Sequence, residues 1–148
     1  MKVWSVSVAL IALALPVPTL AALGEKVDSV PTDQARMKAT LRITSSGKYT
    51  VHELQTPAGT LVREYVSPAG TVFGVAWEGP SLPDLRQVLG TYFGTYTETA
   101  KTARTGHRSL AVEQPGLVVH SRGHLRAFFG QAYVPQLLPP DVSGGEIQ

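Results

Sequence analysis

The sequence predicts an α+β protein built on an antiparallel β-sheet, and three observations carry that prediction. The stretch Thr56-Pro57-Ala58-Gly59-Thr60 returns eleven residues later as Ser67-Pro68-Ala69-Gly70-Thr71, with strand-like sequence on both sides of each copy. Leu82, Leu85, Val88, Leu89, Tyr92 and Phe93 recur at helical spacing between Pro80 and Gly94. Strand-forming residues then resume over Leu110–Glu113, Leu117–His120 and Leu125–Phe129, broken by Pro115-Gly116 and Ser121-Arg122-Gly123.

Each Pro-Ala-Gly reads as a three-residue hairpin loop. Proline presets φ for the first turn position, alanine is tolerated at the second, and glycine takes the left-handed conformation without a steric penalty. A phosphate cradle would instead lead into a helix N-terminus, and here strands follow. The loops predict a meander over Tyr49–Gln55, Leu61–Val66 and Val72–Trp77. Its register sets Arg63 opposite Glu53 and Glu64 opposite His52, two pairs of opposite or complementary charge. It also sets Tyr65 between Val51 and Phe73, and Leu61 opposite Trp77, which marks the Tyr65 face as the core side. On that reading Glu64 and His52 form a surface pair, while Arg63 and Glu53 are partly buried.

The helix is expected to start at Ser81, with Asp84 three residues on and Pro83 in the tolerated first turn. It is expected to stop at Gly94, and Gly90 inside it is explained by close packing. The polar run Thr95–His107 reads as a surface loop or a frayed helical extension. A second helix over Pro31–Lys38 has only Ala35 and Met37 as apolar anchors. If it forms, the chain follows a doubled α-β-β-β plan with both helices on one face of the sheet.

The N-terminus reads as an export signal spanning residues 1–21. Lys2 supplies the positive start, Val3–Leu15 is apolar apart from serines, Pro16 and Pro18 end any helix, and Thr19-Leu20-Ala21 offers a cleavage site. The apolar run is shorter than the roughly 20 residues a membrane span needs. Residues 22–148 then form a single domain, with residues 134–148 as a proline-rich tail. No other segment is expected to cross a membrane.

Composition narrows the function classes. The 148 residues include no cysteine, which removes disulfides, thiolate chemistry and lipid attachment. The formal charge is +2 with Lys2 counted, and the charges are dispersed, so no concentrated cationic face for nucleic acid is expected.

Two long stretches carry a resemblance. With "REYVSPAGTVFGVAWEGPSLPDLRQVLGTYF" and "GLVVHSRGHLRAFFGQAYVPQLLPPDVS", and the Ala-Leu-Gly that follows the signal, the chain resembles the bacterial exported proteins known as domain of unknown function 2844. The resemblance implies an envelope location and a shared fold. It implies no activity and supplies no catalytic residues.

Candidate chemistry rests on a few side chains. A loop at Ser121-Arg122-Gly123 would face His120 against His124 at about 5 Å between Cβ atoms, close enough to share zinc or copper, with His107 as a third contributor. No G-x-S-x-G occurs, so no nucleophile elbow is expected. Facing carboxylates of the glycosidase kind arise only if the first hairpin slips and sets Glu53 against Glu64. Phe128 and Phe129 are consecutive on a strand and must point to opposite faces. One enters the core; the other lies under the tail or forms an exposed partner patch.

No catalytic constellation is therefore expected and no cofactor is required. The leading expectation is an exported, periplasmic or extracellular, non-enzymatic binding module for an envelope protein or small ligand, with Phe128, Phe129, Arg63 and Glu53 as its surface. A metal-binding protein using His120 and His124 is the alternative, and a small hydrolase is third.

Overall fold

Thr40–Ser45 (β1), Thr50–Gln55 (β2), Leu61–Val66 (β3) and Val72–Gly79 (β4) form one antiparallel meander; Ser109–Gln114 (β5), Leu117–His124 (β6) and Ala127–Tyr133 (β7) form a second. Pairing of β4 with β7 joins them into one seven-stranded sheet in the order β1-β2-β3-β4-β7-β6-β5. The computed structural model describes residues 22–102 and 109–148. A helix Val30–Met37 (α1) precedes the first meander, and helices Leu85–Leu89 (α2) and Phe93–Thr102 (α3) precede the second. The α+β class and the doubled helix-then-meander outline hold. The first meander has four strands, because Thr40–Ser45 adds an edge strand not expected from the sequence.

Both Pro-Ala-Gly segments are turns. Thr56 N–H donates to Thr60 O at 2.9 Å and Ser67 N–H to Thr71 O at 2.9 Å, with Gly59 and Gly70 at φ 89° and 76°. The first hairpin has the expected register, with Glu53 opposite Arg63 and His52 opposite Glu64. The second does not. Val66 pairs with Val72, but Tyr65 then pairs with Gly74, so a β-bulge at Phe73 shifts every later pair by one residue. Trp77 therefore lies opposite Val62 and not Leu61.

That bulge corrects the core assignment. The main core lies on the face of Leu54, Val62, Val75 and Trp77, packed against Val30 of α1 and Leu85, Val88 and Leu89 of α2. Tyr65 and Phe73 belong to a second, smaller core on the opposite face, covered by Val142 and Ile147 of the tail. Gly74 makes room for that cover, since a Cβ there would sit 2.6 Å from Ile147 Cδ1. The sheet thus has a helix face and a tail face.

The helical region departs from a single run. Asp84, not Ser81, caps α2 by accepting from Arg86 N–H at 2.9 Å. Ser81 instead meets Thr60, Oγ to Oγ1, at 2.8 Å. The helix breaks at Gly90, whose φ is 52°. A Cβ there would overlap the Ala22 side chain, and Ala22 and Leu23 are fully buried beneath it. After one 3-10 turn the chain resumes as α3, so Gly94 does not stop it and Thr95–Thr102 is helical.

Candidate functional site

The β6–β7 hairpin decides where the predicted site residues go. Its turn is Leu125-Arg126, with Arg126 at φ 61°, and not Ser121-Arg122-Gly123. Gly123 stays within β6 because the Phe128 ring lies where its Cβ would be. His120 and His124 consequently sit on the same strand four residues apart, about 13 Å along it. They do not face one another. His120 pairs across the sheet with Gln131, His124 with Ala127, and His120 Nε2 lies 3.1 Å from Glu113 Oε1. His107 lies outside the described residues.

On the tail face, neighbouring strands β3, β4, β7 and β6 form the floor of a hollow of about 320 Å³. Arg63, Glu78, Phe129, Gln131, His120 and Arg122 line it, with Gln148 of the tail at one end. Strand register builds the arrangement: Glu78, Phe129 and Arg122 stand in one cross-strand row. Phe129 is 53 % exposed and also borders a second hollow beside Arg126 and Pro80. The tail covers Tyr65 and Phe73 but leaves Phe129 bare, so that ring is exposed and does not lie under the tail.

Arg63 is a strut. Its guanidinium reaches Glu53 at 3.3 Å, Glu78 at 2.9 Å and the Gln148 main-chain oxygen at 3.1 Å. Tyr65 Oη donates to the same oxygen at 2.8 Å. Among the described residues Arg122 makes no ion pair, so it is the hollow's available cation. Of the expected surface residues, Arg63 and Phe129 meet at this hollow. Glu53 is withdrawn behind Arg63, and Phe128 points to the helix face. Arg122, His120 and Gln131 complete the lining, placed there by the same-face alternation of β6 and β7.

The helix face holds a different constellation. Glu64 and His52 are opposite each other as expected, but both are buried, not at the surface: Glu64 is 1 % and His52 7 % exposed. Asp33 of α1 comes down beside Glu64 with no exposure at all, and each carboxyl acts on the other. Gln87 of α2 donates to Asp33 Oδ1 at 2.7 Å. Asp33 Oδ2, Glu64 Oε2 and His52 Nδ1 are buried with no hydrogen-bond partner. Burial, then the Asp33 charge, hold the Glu64 carboxyl well above the usual range. Burial raises Asp33 to about 6, opposed by its bond to Gln87 and by the neighbouring Glu64 and Arg36. Burial lowers His52.

A family model matches residues 19–147 of the chain. The chain belongs to the family described as Protein of unknown function (DUF2844). No curated protein and no solved structure matches it.

For this DUF2844 member, sequence reasoning missed the Asp33–Glu64–Gln87 cluster. A signal was present: Asp33 lies between Val30 and Met37 on one helical face, and Glu64 lies between Val62 and Val66 on one strand face. Once those apolar neighbours are core, both acids are inside. Among the described residues no group of three or more histidine, cysteine or acidic side chains is placed to hold a metal. None of the hollows above is lined by Asp33 or Glu64, so the pair does not have the open, water-admitting geometry of glycosidase carboxylates.

Proposed function

We propose that this protein is an exported, non-enzymatic binding module whose ligand site is the hollow on the tail face. Export follows from the signal-like pattern of residues 1–21. No helix among the described residues is long and apolar enough to cross a membrane.

The observation that carries the reading is Arg122, without an ion-pair partner among the described residues, directly beside the exposed ring of Phe129, over a concave floor. A guanidinium offers a planar fork of donors that matches a carboxylate. The ring beside it offers apolar area, and Gln131 adds amide donors. The ligand class is therefore a small molecule or peptide end with a carboxylate next to an apolar side group.

In isothermal titration calorimetry N-acetylphenylalanine should bind saturably to the protein, and N-acetylphenylalaninamide should bind more weakly. Arg122→Ala should weaken binding of the acid about tenfold, the equivalent of one lost charge-assisted hydrogen bond. Equal affinity for acid and amide, or an unchanged affinity in Arg122→Ala, would remove the hollow as a carboxylate site.

A further inference from the structure

The Asp33–Glu64 pair ties three elements together at one point. Asp33 is on α1, Glu64 is near the middle of β3, and Gln87, on α2, bonds Asp33 from the second side. Both carboxyls are removed from water, and each keeps one buried oxygen with no hydrogen-bond partner. Two ionised carboxylates in such a place repel one another and lose their hydration, and among the described residues neither has an ion-pair partner to replace it. One proton between them turns repulsion into a charge-assisted hydrogen bond.

The surroundings offer no other remedy. Across β2, His52 stands beside Glu64, and its own burial favours the neutral imidazole. On β4 the cross-strand neighbour of Glu64 is Val75, which is apolar. Arg36 on α1 acts on Asp33 through space from an exposed position. From α2 the contact is Gln87, a neutral amide. The shared proton is what makes the cluster compatible with the core.

We propose that Asp33 and Glu64 form a proton-operated latch: while a proton is shared between them α1 is held on the sheet, and loss of that proton releases α1. Its other anchors are few. Val30 is buried, Met37 is partly buried against the same core, and the outer face is polar. Release uncovers the part of the helix face around His52 and Leu54 in β2, the strand α1 packs on. Opening lets the carboxyls regain water and ionise in the ordinary range, so opening releases protons and is favoured as pH rises.

Hydrogen exchange of the intact protein tests this, with protection factors of the α1 amides corrected for the intrinsic rate and the β6–β7 amides as internal control. Above about pH 6 Asp33 is already ionised, and opening releases the one remaining proton. Protection of α1 should then fall up to tenfold per pH unit until Glu64 ionises in the closed state. The β6–β7 amides should show no such slope. Glu64→Gln keeps a donor toward Asp33 and carries no titrating proton, so its α1 protection should be flat above pH 6. Asp33→Asn keeps the Glu64 proton and should keep the slope. Wild-type α1 protection that does not change between pH 6 and 9 overturns the latch, as does a Glu64→Gln protein that follows the wild-type curve. Should either variant fail to fold, the wild-type comparison of α1 with β6–β7 still decides.

Discussion

Arg122 stands directly opposite Phe129 across β6 and β7, on the part of the sheet that the tail leaves uncovered. The pairing places a cation with no ion-pair partner among the described residues beside a bare aromatic ring, and both side chains are exposed. Arg122→Ala and Phe129→Ala should therefore leave stability within about 0.5 kcal/mol of wild type, the usual range for surface changes. Urea midpoints check this. A loss above about 2 kcal/mol in either variant would assign these residues to packing and not to a ligand.

Gly130 is a position where one methyl group should matter. It pairs with Trp77, and the indole occupies the space a Cβ would need. Trp77 is fully buried in the main core and has little room to shift. Gly130→Ala should destabilise the protein by about 1–3 kcal/mol through overpacking. Gly116→Ala, where nothing approaches within 4 Å, is the matched control and should change little. Urea denaturation of the pair distinguishes them.

The buried acids make stability depend on pH in a direction opposite to ordinary paired carboxylates. Asp33 has a folded-state pKa of about 6, above the unfolded value of about 3.9. The folded state therefore holds the extra proton between those values, and its contribution to stability is full below about pH 4 and lost as pH rises toward 6. His52 is lowered by burial, and it works the other way, adding stability as pH rises toward its unfolded value of about 6.5. Asp33→Asn isolates the first effect. Its stability relative to wild type should grow by on the order of 2–3 kcal/mol between pH 4 and 6.5. Urea midpoints at four pH values suffice, and a constant difference contradicts the assignment.

His120 and His124 lie on one strand about 13 Å apart, beyond the roughly 4 Å spanned by two ligands of one zinc ion. Thermal shifts with zinc, copper or nickel should therefore be the same for wild type and His124→Ala. A shift of several degrees that disappears in His124→Ala would show that the hairpin re-registers around the metal.

Much of the fold was legible because local turn chemistry is strong. The two Pro-Ala-Gly loops placed β2, β3 and the start of β4, and the first hairpin's register followed from loop length alone. What went unread involved long-range contacts. The bulge at Phe73 puts that ring in the tail-face core beside Ile147, for which Gly74 leaves room, and Ile147 lies more than seventy residues away in sequence. One shifted residue exchanges the faces, and an unbulged register puts Glu64 and His52 at the surface when they are core. Gly123 carried a second ambiguity. It signals a turn or a close approach, and only the Phe128 ring across the hairpin shows it is the latter. Of the candidate site, Phe129 and Arg63 were legible from strand alternation. The Asp33–Glu64 pair was not, because it joins a weakly amphipathic helix to a strand whose buried face depended on that bulge.

The most direct test of the account is a two-dimensional amide spectrum of the 15N-labelled protein as N-acetylphenylalanine is added. The account predicts saturable shifts confined to Arg63, His120, Arg122, Phe129 and Gln131 and their neighbours, absent in Arg122→Ala. Shifts centred elsewhere, or none up to millimolar ligand, would contradict the claim that this hollow is the binding site.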